Sequence, residues 1–405
     1  MRALLVVSSL VLASPGLAAA QTVEWTRQFG STGHDRATAV AVDASGVYVA
    51  GATAGALPGQ TSAGSIDAFL RKYDLAGTEL WTRQFGSSVI DEILALTVDA
   101  SGIYVAGGAL GSLAGGQGAP EQHAFVRKYD AAGTEVWTRE FSTGRREQVL
   151  GVGIGPSGIY AAGDTTVTAP PYDDGFVVRL ALDGALSWSR RIGTPQLDRA
   201  SAISVHATGV YVAGATEGTL PGQTSAGDSD GFVRKYDFDG AEIWTRQFGT
   251  PEGDEVVALA VDASGVYLAG TTSGALGSDR AADAVDGFAA RYTFDGERVW
   301  LRQFGTAEYD DILGIVPGAE VVYIGGNTRG ALPGQRHAGS QDGFVQRRDQ
   351  SGAVEWTLQF GTSGHDELLD LDSAGTDVYV VGVTDGALPG QTNLGSVDAF
   401  VMKLR

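Results

Sequence analysis

An all-β fold, a seven-bladed β-propeller with four antiparallel strands per blade, is predicted by three aromatic series that each recur seven times. The tryptophans are separated by 56, 56, 51, 56, 56 and 56 residues, and a tyrosine follows each of them by 23 residues. A period of this length is typical of propeller blades. The series are Trp25, Trp81, Trp137, Trp188, Trp244, Trp300 and Trp356; Tyr48, Tyr104, Tyr160, Tyr211, Tyr267, Tyr323 and Tyr379; and Phe69, Phe125, Phe176, Phe232, Phe288, Phe344 and Phe400.

Four strands fit into each period, as the second repeat shows. Residues 92–98 and 103–107 alternate in a strand-like manner on either side of a turn, and residues 124–129 and 134–141 form a second such pair. Asp and Gly at the turns have a structural role, because Asp side chains close turns and Gly adopts positive φ. The first strand of each period is predicted to be the innermost strand of a blade.

The aromatic residues are expected to fill the interfaces between neighbouring blades. We assign tryptophan to the core rather than to a sugar-binding platform, because every blade needs the same interface filler. A glycine 26 residues after each tryptophan is expected to end the second strand, where the backbone bends into a loop. These glycines are Gly51, Gly107, Gly163, Gly214, Gly270, Gly326 and Gly382.

The two ends of the chain complement each other. The last repeat stops at Arg405 before a fourth strand can form, whereas residues 21–30 supply one outer strand with its tryptophan. We therefore expect the N-terminal strand to complete the seventh blade and to close the ring. Blades are predicted to start near residues 31, 87, 143, 194, 250, 306 and 362.

The first 20 residues have the three parts of a secretory signal. Met1 and Arg2 precede the apolar run 3–13, and three alanines at 18–20 precede a cleavage site before Gln21. A membrane anchor is the weaker alternative, because this run is too short to span a bilayer. We expect residues 21–405 to be one propeller domain that is secreted, periplasmic or on the cell surface. The chain has no cysteine, so packing must supply its stability.

The net charge of −20 argues against nucleic acid or anionic membranes as partners. Cations or basic surfaces suit this charge better. The alternative explanation is that the charge keeps an exported particle soluble. We expect a monomer.

Two series of acidic residues come before the first and third strands, and both are expected on one strongly acidic face. One interpretation is that they accept backbone N–H bonds and hold loops. The other is a cation-attracting mouth with calcium as the suggested ligand, although no dedicated calcium motif is present. The first series is Asp35, Asp91, Glu147, Asp198, Asp254, Asp310 and Asp366; the second is Asp67, Asp174, Asp230, Asp286, Asp342 and Asp398, with His123 in the second repeat.

Histidines break the symmetry of the repeats at two places. His34-Asp35 and His365-Asp366 share a Gly-His-Asp context in the first and last repeats, which adjoin at the ring closure. These four residues are candidates for a transition-metal site or for acid–base chemistry. The alternative is that both histidines are exposed loop residues without a ligand, and His206 and His337 show no partners.

The repeats resemble the seven-bladed β-propeller family known as SBBP repeats over the whole chain after the signal. Residues 230–236 (DGFVRKY), 244–249 (WTRQFG) and 261–267 (VDASGVY) carry the family pattern in one period. The third repeat departs from it, because it is shorter before Tyr172 and has Gly155 where repeats 1, 2 and 5 have Asp. The resemblance implies an exported bacterial propeller and no single activity.

Motifs for nucleophilic catalysis, zinc proteases and phosphate binding are absent from the sequence. We therefore favour a non-enzymatic scaffold that binds a protein or polysaccharide partner through the acidic face. The alternative is an enzyme, of lyase or lactone hydrolase type, with a site in the axial funnel and a metal as one option. An enzyme should show polar residues outside the repeat pattern at the funnel. Loops with the sequence Leu-Pro-Gly-Gln, near residues 57–60, 220–223, 332–335 and 388–391, are either rigid filler or contact points for a partner.

Overall fold

The computed structural model describes residues 21–113, 122–141, 146–166, 173–277 and 284–405, which form seven four-stranded antiparallel sheets. Blades 1 to 6 take four consecutive strands each from β2 onward, and blade 7 consists of β26–β28 and β1. The strands are β1 (Val23–Phe29), β2 (Asp35–Asp43), β3 (Gly46–Thr53), β4 (Asp67–Tyr73), β5 (Glu79–Phe85), β6 (Ile90–Asp99), β7 (Gly102–Leu110), β8 (Gln122–Tyr129), β9 (Glu135–Phe141), β10 (Glu147–Gly155), β11 (Gly158–Thr166), β12 (Asp173–Leu180), β13 (Leu186–Ile192), β14 (Asp198–His206), β15 (Gly209–Thr216), β16 (Asp230–Tyr236), β17 (Glu242–Phe248), β18 (Asp254–Asp262), β19 (Gly265–Thr272), β20 (Asp286–Tyr292), β21 (Arg298–Phe304), β22 (Asp310–Pro317), β23 (Val321–Thr328), β24 (Asp342–Asp349), β25 (Val354–Phe360), β26 (Asp366–Ala374), β27 (Asp377–Thr384) and β28 (Asp398–Leu404). The predicted seven-bladed propeller is confirmed.

The N-terminal strand closes the ring, as the sequence predicts. β1 pairs antiparallel with β28, with Arg27 opposite Val401 and Phe29 opposite Ala399. An ion pair of 2.9 Å between Lys403 Nζ and Glu24 Oε2 reinforces this pairing. The closing blade is therefore assembled from the two ends of the chain. Within the described residues, no helix is long and apolar enough to cross a membrane.

The repeated glycine of the second strand lies inside that strand, which corrects the expectation that it ends there. Every first strand has a bulge at this height; in blade 1, Ala37 pairs with Gly51 and Ala39 with Ala50. A Cβ on Gly51 would collide with the carbonyl oxygen of Arg36. The glycine is required because a bulged neighbour strand approaches its Cα.

The Tyr and Phe series are buried between blades, as predicted. Every member is 3% exposed or less. One core cluster joins Tyr48 of blade 1 with Ile93 and Phe125 of blade 2. The ring of Phe125 also meets Phe85 of blade 1 edge-on, with 6.1 Å between ring centroids. Burial of such side chains stabilises by roughly 1.5–3 kcal/mol each, so the core consists of seven inter-blade layers.

The tryptophans lie on the outer strands and are less buried than expected. Trp25 and Trp300 are buried, but the other five are partly exposed. Indole N–H groups donate to the next blade, for example from Trp244 Nε1 to the carbonyl oxygen of Phe294 at 3.0 Å. Two residues later, Arg246 Nε donates to the carbonyl oxygen of Gly296 at 2.8 Å. The Trp-x-Arg segment is therefore an outer hook that holds the following blade by its turn.

Candidate functional site at the channel mouth

The first series of acidic residues is buried, and its six aspartates hold the loops that precede them. All seven are 0–1% exposed. The Asp254 carboxylate accepts a 2.6 Å bond from the backbone N–H of Thr250, and Asp35 accepts a 2.7 Å bond from that of Ser31. The hydroxyl of Thr53 donates to Asp35 from the second strand. This geometry supports the loop-holding interpretation, and calcium binding at this series stays a prediction.

The second series lies beside the first, and its six aspartates are equally buried, whereas His123 is partly exposed. Asp67 accepts bonds from the backbone N–H groups of Ala63 and Gly64, at 2.8 and 2.9 Å, and from Gln84 Nε2 at 2.7 Å. Burial raises the pKa of Asp91 to about 6, and the charge of Asp67 contributes to that shift. Burial also raises the pKa values of Asp35, Asp254 and Asp310. The carboxylates are thus arranged in pairs at blade junctions, below the surface of the predicted acidic face.

Repeats 2 and 3 depart from this pattern. His123 replaces the third-strand aspartate in repeat 2, and Glu140 replaces the glutamine that Gln84 represents in repeat 1. In repeat 3, Asp174 forms an ion pair with Arg191, which replaces that glutamine. Repeat 2 also has Ala109 in place of the second-strand threonine, and Asp91 Oδ1 is buried without a hydrogen-bond partner. Asp91 is therefore bound less completely than Asp35.

The histidine pair has separate partners in the structure. His365 Nε2 lies 3.0 Å from Glu367 Oε1, and the His365 backbone N–H donates to Asp385 Oδ1 at 2.7 Å. His34 forms a backbone bridge to Val397. In the described ranges, no three His, Cys, Asp or Glu side chains are placed to hold a metal ion. A metal site at His34, Asp35, His365 and Asp366 stays a prediction.

The Leu-Pro-Gly-Gln loops are held rigidly by the outer strand of their own blade. Leu57 is 1% exposed, and its backbone N–H donates to Gln84 Oε1 at 2.9 Å. Gln60 Oε1 in turn accepts a bond of 3.2 Å from the backbone N–H of Gln84. Pro58 and Gly59 are the exposed part of the loop. The structure therefore supports the rigid-filler interpretation for most of the loop, with its tip open to solvent.

An axial channel of about 660 Å³ passes between the first strands of the seven blades. Its wall is mainly Val, Leu, Ile and Ala, and the charged residues that line it are Arg199, Glu255, Asp370 and Asp372. The loops after the second and fourth strands surround one end of the channel, and we call this side of the molecule the loop face. A volume of this size is in the range of ligand-binding cavities.

Seven half-buried polar residues, which we call the mouth ring, stand one per blade at the loop-face end of the first strands. Each follows its tryptophan by 11 residues, but unlike the buried series they differ in charge from blade to blade. They are Arg36, Glu92, Gln148, Arg199, Glu255, Asp311 and Glu367. The seven blades therefore differ from one another at this end of the channel.

Two hydrogen-bonded groups run along the mouth ring. In the first, Arg199 Nε donates to Asp164 Oδ2 at 3.2 Å, and Arg199 Nη1 forms an ion pair with Glu255 Oε1 at 3.7 Å, which links blades 3, 4 and 5. In the second, Gln341 Nε2 donates to Glu367 Oε1 at 3.3 Å and connects blades 6 and 7.

Asp311, in the same arc of the ring, accepts a 3.0 Å bond from the backbone N–H of Asn327. Burial raises its pKa to about 6, with a further contribution from the charge of Glu367. Sequence reasoning missed the mouth ring, although a comparison of the seven repeats at this position would have shown its variability.

The expectation that His206 and His337 have no partners is wrong. His337 Nδ1 lies 3.2 Å from Asp342 Oδ2, and His206 Nδ1 lies 3.0 Å from the Thr208 hydroxyl.

No family model matches the chain, so membership of the SBBP family stays a prediction. Regulatory protein FlaEY of Caulobacter vibrioides is 26% identical over an alignment of 350 positions, which covers 74% of this chain and 36% of that protein. The chain thus spans about a third of the length of this relative. The WD40 domain of Neurospora crassa Pan2 has a TM-score of 0.51 at 10% identity and covers 95% of both chains. The WD40 β-propeller domain of Doa1 has a TM-score of 0.52 at 12% identity and covers 94% of this chain and 97% of its own. The likeness to the two solved WD40 domains shows the propeller fold.

Proposed function

We propose that this propeller is an exported scaffold that binds a protein partner across its loop face and mouth ring. The observation that carries this proposal is the mouth ring, whose residues differ between blades although their positions repeat. Structural roles recur once per blade in a repeat protein, whereas recognition of an asymmetric partner requires differences between blades. The rigid Leu-Pro-Gly-Gln loops around the ring provide a pre-organised surface, which lowers the entropic cost of binding.

A protein suits this surface better than a polysaccharide. The exposed large apolar side chains of the described residues are all aliphatic, and the tryptophans belong to the outer hooks. The Arg246 guanidinium lies over the Trp244 ring at 5.4 Å from its centroid. It thereby covers a ring face on which a sugar would have to stack. The loop tips offer small residues such as Ala56, Pro58 and Gly59. Small, rigid and polar surfaces favour backbone and side-chain contacts with another protein.

The compartment and the oligomeric state belong to the same proposal. The N-terminal signal pattern supports export, with the molecule in the periplasm, in the medium or on the cell surface. A monomer is supported by the ring closure, because β1 completes blade 7 within one chain.

An enzyme of lyase or lactone hydrolase type is a second candidate, which one contact favours. The pair of His365 and Glu367, at 3.0 Å in the mouth ring, is of a kind used for general acid–base chemistry. Assays with a panel of lactones and uronate-containing polysaccharides would test it. Turnover by the natural protein that is lost in His365→Gln would favour the enzyme over the scaffold.

The scaffold proposal is tested by cross-linking the natural protein in its own exported fraction and identifying the captured proteins. Glu92→Lys reverses the charge of one mouth-ring residue, and Glu320→Lys makes the same change at an exposed turn on the opposite face. We expect Glu92→Lys to lower recovery of a specific partner at least tenfold and Glu320→Lys to leave it unchanged. Equal recovery with both variants would contradict binding through the mouth ring, and capture of polysaccharide alone would contradict a protein partner.

A further inference from the structure

Two carboxylates that lie outside the repeat pattern line the channel at the seam of the ring. Asp370 and Asp372 are on β26, the first strand of blade 7. The other six repeats have small or uncharged residues 14 and 16 positions after their tryptophan. Those residues are Ala39, Ala95, Gly151, Ala202, Ala258 and Gly314, and Ala41, Thr97, Gly153, Ser204, Ala260 and Val316. The pair is therefore specific to the junction between the last and the first blade.

Both carboxylates bind the inner edge of blade 1. The backbone N–H of Val40 donates to Asp370 Oδ2 at 2.9 Å, and that of Val42 donates to Asp372 Oδ2 at 2.8 Å. β2 is the edge strand of its sheet, so these N–H groups have no neighbouring strand to pair with. Side chains at alternate positions of β26 thus bond to alternate residues of β2 across the seam.

We propose that Asp370 and Asp372 form an inner clasp that joins blade 7 to blade 1, and that protonation of this clasp controls how firmly the ring is closed. The pairing of β1 with β28 closes the outer side of the same blade. The ring is thus held at its seam on two sides. The outer closure uses a whole strand, whereas the inner clasp uses two titratable side chains.

The environment of the clasp makes it sensitive to pH. Burial raises the pKa of Asp370 to about 7 and that of Asp372 to about 6, and this effect outweighs the bonds from Val40 and Val42, which lower both values. The charge of Asp372 adds to the shift at Asp370. Other titratable or charged residues on β26 and on the strands packed against it are Asp35, Arg36 and Asp43; Asp310 and Asp311; Tyr323; Asp342, Arg347, Arg348 and Asp349; Asp377 and Tyr379; and Asp366 and Glu367. None of these lines the channel.

The sign of the effect follows from the raised values. The folded protein holds these protons more tightly than the unfolded chain, so the clasp favours the folded state most at low pH. As the pH rises from about 4 to about 7, the folded state must carry two adjacent negative charges in the channel wall. The seam is therefore firmest near pH 5 and weakest near pH 8.

Two variants of the natural protein test the clasp and its protonation separately. Asp370→Asn with Asp372→Asn keeps an oxygen acceptor for Val40 and Val42 and removes the charges, and Glu320→Gln is the control at an exposed turn. At pH 5 we expect the Asn pair to have the same melting temperature as the natural protein. At pH 8 we expect its melting temperature to be several degrees higher than that of the natural protein. The control should melt like the natural protein at both pH values. Equal melting of the Asn pair and the natural protein at pH 8 would overturn the control by protonation.

The second variant, Asp370→Ala with Asp372→Ala, removes the acceptors and introduces the residue that blades 1 and 5 already have at these positions. We expect hydrogen exchange at the Val40 and Val42 amides to become at least tenfold faster. The equivalent amides of Leu96 and Val98 in blade 2 serve as internal controls and should not change. Unchanged exchange at Val40 and Val42 would overturn the clasp itself.

Discussion

At the scale of single residues, the buried carboxylates show how a repeat protein uses charge as structure. The six aspartates of the first series exchange hydration for bonds from a preceding loop. In three blades a second-strand threonine also donates, as the hydroxyl of Thr216 does to Asp198 at 2.5 Å. An incompletely bonded carboxylate is costly to bury. Asp91, opposite Ala109, shows that cost, because burial raises its pKa to about 6.

Restoring the missing donor should stabilise blade 2. Ala109→Thr places a hydroxyl at the position that Thr216 occupies in blade 4, where it can donate to Asp91 Oδ1. We expect a gain of about 1 kcal/mol in the free energy of unfolding, together with a lower pKa for Asp91. Urea unfolding and a carboxyl ¹³C titration would measure these two quantities.

The matched control removes the donor where it is present. Thr216→Ala should cost about 1–2 kcal/mol, because Asp198 then loses one of its bonds inside the protein. If Thr216→Ala lowers the free energy of unfolding but Ala109→Thr leaves it unchanged, the missing threonine bond is not the cause of the raised pKa of Asp91.

The spacing of the carboxylates predicted that they share one end of the blades, but not that they are buried. Burial depends on contacts with the next blade, such as the loop residues that bridge Ile66 to Ile90. A pattern within one repeat carries no information about these contacts. The mouth ring and the Asp370–Asp372 pair were missed for a different reason, because both are visible only when the seven repeats are compared with one another at these positions.

At the scale of strands and turns, the blades are joined by the outer hooks and by the strand that closes the ring. The number of blades, the strand order and the ring closure could be predicted, because they follow from the repeat count and from the incomplete last repeat. The bulge opposite Gly51 could not be predicted, because it depends on how closely two neighbouring strands approach each other in three dimensions. A glycine in a strand indicates a close approach without saying from which side.

The hydrogen bond of the outer hook should contribute measurably to the free energy of unfolding. Trp244→Phe keeps an aromatic ring but removes the N–H that donates to the carbonyl oxygen of Phe294. We expect a loss of about 1 kcal/mol in the free energy of unfolding, measured by chemical denaturation. Trp81→Phe is the control, because the indole N–H of Trp81 has no such bond among the described residues. Equal losses in the two variants would assign the effect to the smaller ring alone.

Removal of the closing strand should be far more severe. Deleting residues 23–30 exposes the edge of β28 and removes Trp25, Phe29 and the partner of Lys403. We expect a melting temperature lower by more than 10 °C, from a loss of several kcal/mol, and aggregation through the open edge. A synthetic peptide of residues 21–30 should restore part of the loss. An unchanged melting curve for the truncated protein would contradict closure by β1.

At the scale of the whole molecule, the buried carboxylates and the mouth ring occupy different residues of the same strands. The buried carboxylates recur from blade to blade because every junction needs its loops held, whereas the mouth ring varies in the way that the proposed binding of one asymmetric partner would require. Among the described residues, the charged residues of the channel wall are Arg199, Glu255 and the seam pair. Differences between the blades are therefore concentrated at the channel mouth and at the seam between blades 7 and 1.

The pH dependence of the whole molecule should have a maximum on the acid side of neutrality. Burial raises the pKa values of Asp91, Asp311 and Asp372 to about 6 and that of Asp370 to about 7. The folded state therefore binds more protons than the unfolded chain between about pH 4 and pH 7, and stability falls as the pH rises through that window. Exposed Asp349, whose pKa the Ser351 hydroxyl lowers, acts in the opposite direction, and its contribution is lost on acidification below about pH 4.

We accordingly expect the melting temperature to be highest near pH 5, lower at pH 8 and lower again at pH 3. Scanning calorimetry across this range would measure the profile. Asp91→Asn should flatten the decline between pH 5 and pH 8, because the side chain no longer has a charge to bury, while Glu320→Gln should leave the profile unchanged. A melting temperature that rises steadily from pH 5 to pH 8 would mean that the buried carboxylates are ionised at little cost, and that the hydrogen bonds from Ser87 and its equivalents outweigh burial in the folded ring.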